Sequence, residues 1–269
     1  MTGNDQTIPA PAFAGKRACV TGSSRGLGFD IATRLAEAGA DVILVGRQAE
    51  QLTDAGARLF ALTDRMPALC EADMGQNGEL VRNLNGIGID PNTIDIMVCA
   101  AGVSLPHRPF WEYDEADYRR CFDLNILGVQ QAVAAVVHGM MGRKAGRIIA
   151  IGGTYGYRGV ARSAIYSASK WALRGLVKSI AAELGPFGVT ANIVSPGGVD
   201  GENLRAQFAR SAEREGISFQ AVYDRFAARA CMNALVTGQD VAEMVCFLAS
   251  DAAARITGQD MLVDAGTIV

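Results

Sequence analysis

The sequence predicts an α/β fold: one domain built on a doubly wound parallel sheet of about seven strands, with helices on both faces. Three observations predict it. Short β runs alternate with longer stretches of helical periodicity. Most β runs are apolar throughout rather than alternating, which marks strands covered on both sides. No linker or repeat breaks the alternation, and 269 residues are ample for one sizeable core.

Residues 1–13 are polar, then Pro- and Ala-containing, without the charged start and apolar core of a signal peptide. They read as a flexible tail ahead of a domain at 14–269. Strands are expected at 17–21, 41–46, 68–72, 94–100, 146–151, 190–195 and 259–263. Helices are expected between them, at 27–38, 49–63, 76–84, 115–140, 163–184 and 240–248. Right-handed crossovers then wind the sheet both ways from its centre. The first strand ends in Thr21-Gly22, and Gly26 and Gly28 follow before Ile31, Ala32, Leu35 and Ala36 recur at helical spacing. Strand, glycine turn and helix form the context a dinucleotide's phosphates need, because the backbone can approach the pyrophosphate at a helix N-terminus. Such turns also end ordinary strands. Two extra amphipathic stretches, 203–213 and 218–229, interrupt the alternation after the sixth strand. The segment at about 201–232 is expected to be a helical lid over a ligand, or a helical pair packed on the surface.

Composition narrows the partners. Net charge is −3, from 25 basic and 28 acidic residues, which gives no nucleic-acid footprint. No run approaches the ~20 apolar residues of a membrane helix. A small-molecule partner is expected, with neither nucleic acid nor membrane. Cys19, Cys70, Cys99, Cys121, Cys231 and Cys246 are scattered, with no Cys-x-x-Cys, so reduced thiols and a cytoplasmic setting are expected. His107 and His138 are the only histidines and have no ligand-spaced partner, so no metal is expected.

Tyr166 and Lys170 lie four apart at the start of a helix, on one face. An ammonium ~4 Å from a phenolate at an effective dielectric of ~20 stabilises it by roughly 4 kcal/mol. That is about three units off a tyrosine pKa near ~10, enough to approach neutral acid/base chemistry. A chance surface pair is the other reading.

Thr21-Gly22-x-x-x-Gly26-x-Gly28, Asn125 in a central helix and Tyr166-x-x-x-Lys170, in this order, resemble the short-chain dehydrogenase/reductase family. The resemblance spans about 16–266. Asp73 and Met74 after the third strand, Ala100-Ala101-Gly102 after the fourth, Ser195-Pro196-Gly197 after the sixth and the closing Asp264-Ala265-Gly266 extend it. It implies a Rossmann-type catalytic domain and an NAD(P)-dependent enzyme acting on CH–OH groups. It also implies roles. Tyr166 exchanges a proton with the substrate oxygen. Lys170 lowers the tyrosine's pKa and binds the nicotinamide ribose. Asn125 holds a water in a proton relay. Gly22, Ser24, Arg25, Gly26, Leu27, Gly28, Asp73, Met74, Ala100, Ala101 and Gly102 contact the cofactor, and Pro196, Gly197 and Val199 line its nicotinamide side.

The chain departs from the family at one catalytic position. The serine expected thirteen residues before the tyrosine is Gly153. Three readings stay open: Thr154 takes its place through a local backbone change, another group such as Tyr155 or Ser104 supplies the hydrogen bond, or redox catalysis is weak or absent. Losing one such donor costs ~10²–10³ in rate. Thr154 is the substitute expected here. Two lesser departures are Cys99 ahead of Ala100-Ala101-Gly102, and Gly201 where the family has a threonine.

The second strand ends in Gly46-Arg47. A carboxylate at the Gly46 position would grip the adenosine ribose and repel a 2′-phosphate. Gly46 removes that repulsion, while Arg47 and Arg25 can pair with the phosphate. NADP is therefore expected over NAD. Arg108, Arg158 and Arg162 are candidates for an anionic substrate group. The long helix from Glu115 and the small-residue start of the Tyr166 helix resemble the family's subunit-pairing helices, implying a homodimer or homotetramer. The leading function is an NADP(H)-dependent oxidoreductase interconverting a ketone and a secondary alcohol on a small molecule. Gly153 keeps two alternatives open: a cofactor-binding sensor or partner with impaired redox activity, and a non-redox isomerase or lyase.

Overall fold

A computed structural model describes residues 12–269. Its first half comprises β1 (Arg17–Thr21), α1 (Gly26–Glu37), β2 (Asp41–Gly46), α2 (Ala49–Thr63), β3 (Ala68–Glu71), α3 (Glu79–Gly86) and β4 (Ile96–Cys99). The second half comprises α4 (Glu115–Phe122), α5 (Gly128–Arg143), β5 (Gly146–Ile151), α6 (Ala164–Leu184), β6 (Val189–Pro196), α7 (Glu202–Glu215), α8 (Phe219–Ala227), α9 (Gly238–Ala249) and β7 (Asp260–Val263). The seven strands form one sheet in the order β3-β2-β1-β4-β5-β6-β7. Every pairing is parallel. The winding direction reverses between β1 and β4, and ligands of such sheets bind in the crevice at that switch point.

Neighbouring residues of one strand feed opposite cores, which is why the strands are apolar throughout. Val20 and Leu44 pack with Ile31, Leu35, Val241 and Val245 on one face. Cys19 and Ile43 pack with Val133, Val136, Leu173 and Val177 on the other. The region after β6 forms two helices with a small cluster of their own, Phe208, Ala212 and Val222.

Residues 1–11 of the expected tail lie outside the described residues. At its end Phe13 is 3% exposed and its N–H donates to Ala38 O at 2.8 Å, so the packed body reaches back to Phe13. The helix expected from 76 begins three residues later, because Asp73 bonds the Gly75 N–H at 2.9 Å and closes a turn first. The strand expected at 94–100 shortens to Ile96–Cys99, since residue 94 still closes the 3-10 turn Pro91–Thr93. The helix expected at 115–140 runs on to Arg143 and carries a π turn at Asp123–Leu127.

Taken as one 29-residue helix, Glu115–Arg143 is long and apolar enough to cross a membrane by length and composition, with mean hydropathy 1.3 over its most apolar window. The expectation that no stretch would approach that threshold is corrected here. The apolarity has a packing cause: Val129, Ala132, Val133, Val136 and Met140 are buried against the sheet.

Candidate active site

The turn after β1 is set by close packing. A Cβ on Gly22 would stand 2.7 Å from Ala101 Cα, and one on Gly28 would stand 2.3 Å from Gly22 O. Only hydrogen fits at either position. Ser23, fully buried, fixes the turn to β2: its Oγ donates to Val20 O at 2.7 Å and accepts from Val45 N at 2.9 Å. Thr21 Oγ1 accepts from Ala101 N at 3.1 Å, tying the ends of β1 and β4 together. Arg25 is the N-cap of α1 and makes no side-chain cap, so the first-turn amides point at the crevice without a side-chain acceptor. A turn of this shape at a helix N-terminus fits a dinucleotide pyrophosphate.

A cleft of about 1110 Å³ opens beside the turn. Arg25, Arg47, Asp73 and Gly102 line it from the sheet side, and Leu204 and Arg210 from α7. Of the two helices in the segment expected as a lid, α7 lines the cleft and α8 does not. Met74 is buried, 4% exposed, and its main chain lies where a Cβ on Gly128 would be 2.9 Å from Met74 O. Ser24, Gly26 and Leu27 sit on the same turn, and Ala100 and Ala101 at the end of β4. Pro196 ends β6, and a Cβ on Gly197 would lie 2.9 Å from Asp264 Cα. Asp264 holds that contact by accepting from Gly266 N at 3.0 Å and Ile268 N at 2.8 Å. Val199 follows and bridges to Val236.

Tyr166 and Lys170 occupy the first turns of α6 on one face. Lys170 is buried, 8% exposed; its Nζ donates to Ile151 O at 2.9 Å and lies 5.6 Å from the Tyr166 ring centroid. The expected lowering of the tyrosine's pKa does not hold in this geometry. Burial pushes the Tyr166 phenol well above its ordinary value, with Tyr155 and Cys121 adding to the rise. Burial also pulls Lys170 down from 10.5 to about 8, against the opposing pull of Cys121 and Asp260. The physical reason is that desolvation penalises both charged forms, and the ammonium spends its hydrogen bond on a carbonyl.

Asn125 lies in the π turn, 2% exposed. Its side chain clamps the loop after β4: Oδ1 accepts from Val103 N at 2.8 Å, and Nδ2 donates to Val103 O at 3.0 Å and to Ser169 Oγ at 3.0 Å. The side chain is therefore committed, and only its main chain is left to hold a water. A π turn, which breaks the regular helical ladder, is a common device at functional sites.

Gly153 departs from its neighbours in conformation, with φ +154° and ψ 157°, a region almost exclusive to glycine. Its N–H donates to Ser195 Oγ at 3.0 Å. Thr154 follows at 6% exposure and opens the 3-10 turn Thr154–Gly156. Tyr155 stands edge-on to Tyr166 with ring centroids 5.3 Å apart, and its other side meets His107, which lines the cleft, at 6.5 Å. Of the arginines expected near a substrate, Arg108 is taken by Asp117 and by the Tyr113 ring, 4.8 Å from its guanidinium. Arg162 offers its carbonyl to the Tyr113 hydroxyl at 3.0 Å. Arg158 is exposed, and with Arg229 its charge opposes the burial that raises Tyr155. Ser23 and Arg229 were not legible as site residues, nor was the hold of Ser195 on Gly153: Ser23 meets Val45 22 positions away, Ser195 meets Gly153 42 away and Arg229 acts on Tyr155 74 away. Among the described residues no group of His, Cys, Asp or Glu could hold a metal.

A parallel sheet with a glycine cradle at its switch point and a buried Tyr-Lys pair defines a nicotinamide-dependent oxidoreductase class. A family model described as enoyl-(acyl carrier protein) reductase matches residues 22–267. The 3-oxoacyl-[acyl-carrier-protein] reductase FabG of Escherichia coli is 34% identical over 260 residues, covering 94% of this chain and 98% of that one. The (+)-borneol dehydrogenase 2 of Salvia officinalis is 33% identical over 267 residues, covering 97% and 92%. A solved gluconate 5-dehydrogenase from Burkholderia cenocepacia, in complex with NADP and tartrate, superposes with TM-score 0.84 at 26% identity, covering 96% and 97%. The chain belongs to the short-chain dehydrogenase/reductase family and is an NAD(P)-dependent oxidoreductase acting on CH–OH groups.

Proposed function

We propose that this enzyme is NADP(H)-dependent and interconverts a ketone and a secondary alcohol on a small molecule. The observation that carries the reading is half-buried Tyr166 on one helical face with buried Lys170, whose Nζ reaches Ile151 O at the carboxyl end of β5, the same edge as the glycine cradle. The bound nicotinamide would supply or take the hydride. Tyr166 passes a proton to or from the substrate oxygen, and burial keeps the phenol loaded for that donation. Lys170 holds the ribose hydroxyls, and the Asn125 main chain holds the water that relays protons outward. Arg25 and Arg47 are exposed on the cleft and enter no ion pair among the described residues. Together with Gly46 they favour a 2′-phosphate, and the relative solved with NADP supports the same choice.

The test follows NADPH and NADH oxidation against a panel including ethyl acetoacetate and camphor. Ketone-dependent turnover faster with NADPH supports the reading. Equal use of both cofactors overturns the preference, and no turnover with either overturns the activity. Helices α4 and α6 leave Tyr118 and Trp171 half-exposed, and we take that face as the seat of a second copy in a homodimer or homotetramer. Sedimentation of the pure protein as a monomer would rule it out. Five of the six cysteines are buried free thiols, which supports a cytoplasmic setting.

A further inference from the structure

We infer that Tyr155 supplies the second hydrogen bond to the substrate oxygen, in place of the serine that Gly153 lacks. The inference rests on the ketone/alcohol reading above and names the residue that completes its site.

Position 153 cannot be restored by a rotamer. It has no side chain, its backbone lies in a glycine-only region, and its N–H is already given to Ser195. Thr154 is 6% exposed, and its hydroxyl, like that of Tyr155, makes no hydrogen bond among the described residues. Tyr155 is the next residue, with a phenol in place of the missing hydroxyl. Its ring lies between the wall of the cleft and the acid/base phenol: His107 on one side at 6.5 Å, Tyr166 on the other at 5.3 Å. The neighbouring tyrosines are tied down. The Tyr157 hydroxyl donates to Asp260 O at 3.0 Å, and that of Tyr113 donates to Pro106 O at 2.8 Å. The hydroxyls of Tyr155 and Tyr166 have no hydrogen-bond partner among the described residues. Tyr155 and Tyr166 are half-buried phenols with ring centroids 5.3 Å apart, both held protonated by burial and neither hydroxyl spent on another group of the described residues. As charge develops on that oxygen, a fixed donor beside the proton-transferring one stabilises it.

The experiment compares Tyr155→Phe with Thr154→Val and Ser104→Ala in the full chain, on whichever probe ketone of the panel the wild type reduces. Tyr155→Phe is expected to lower kcat by ~10²–10³ with KM little changed, while the other two stay within about threefold of wild type. A second readout needs no turnover: the Kd of trifluoroethanol for the NADPH-loaded enzyme should rise about tenfold in Tyr155→Phe, as one hydrogen bond to its oxygen is lost. Thermal melting and NADPH affinity like the wild type's show that the ring still packs. An active wild type matched by Tyr155→Phe overturns the assignment, and a loss confined to Thr154→Val gives the role to Thr154. A wild type that binds NADPH but reduces no ketone overturns the oxidoreductase reading itself, and this role with it.

Discussion

Two turns at the carboxyl edge of the sheet both depend on glycine, for opposite reasons. In the turn after β1, Gly28 has an ordinary helical backbone, yet a Cβ there would strike Gly22 O at 2.3 Å. In the turn after β5, a Cβ on Gly153 would meet nothing nearer than Pro196 O at 3.9 Å, yet the backbone at φ +154° admits little but glycine. The first glycine is required by crowding and the second by conformation. Crowding excludes a side chain from the cofactor turn at Gly22 and Gly28, while Gly26 between them has nothing within 4 Å and is set by its φ of +56°. The catalytic turn is open at Gly153 alone: a Cβ on Gly152 would stand 2.3 Å from Ser195 Oγ, and one on Gly156 3.0 Å from Lys170 O.

The comparison breaks if the two turns respond alike to substitution. The largest effect is expected from Gly28→Ala, which must displace backbone. Destabilisation above ~4 kcal/mol, seen in urea unfolding, and loss of NADPH binding are expected. On the catalytic side, Tyr166→Phe should lower turnover by ~10²–10⁴ while NADPH affinity, followed by fluorescence, stays near wild type. Lys170 gives a pH signature. Its folded pKa of about 8 lies below the ordinary 10.5, so the unfolded chain binds the extra proton between those values. Stability due to this group therefore rises with pH across that window, and the cost is full below about 8. Lys170→Met should be more stable than wild type at neutral pH by up to ~3 kcal/mol, the gap closing towards pH ~10.5 in urea midpoints. Arg47→Ala should weaken NADPH binding by roughly tenfold or more and leave NADH binding unchanged in parallel titrations. A modest effect is expected from Gly153→Ala: about 1–3 kcal/mol of backbone strain in thermal or urea unfolding, with NADPH binding retained. A cost for Gly153→Ala equal to that of Gly28→Ala would erase the distinction.

Much of this was legible in the chain. Arg17–Thr21, Asp41–Gly46 and Gly146–Ile151 are strands with the bounds their apolar runs suggest, and Ala49–Thr63 is the helix its periodicity suggests. Helix ends were less so: the start of α3 yielded to an Asp73 turn, and the π turn around Asn125 has no periodic signature. At the site, the glycines, Tyr166, Lys170 and the arginines at 25 and 47 stood out as motif residues. Their electrostatics did not. Spacing predicts an ammonium near a phenol, but not that the ammonium is buried and bonded to Ile151.

The sequence by itself determined what depends on near neighbours: strands read from runs of apolar residues, a turn from glycine spacing, and a tyrosine and lysine on one helical face. Only the tertiary structure decided what depends on partners far along the chain. Those are the Asn125 clamp on Val103, the Ser195 hold on Gly153, the α7 wall of the cleft, and the second phenol beside Tyr166. The physical reason is that local preferences act over a few residues, whereas burial and hydrogen bonding in a wound sheet join segments that only the completed fold brings together.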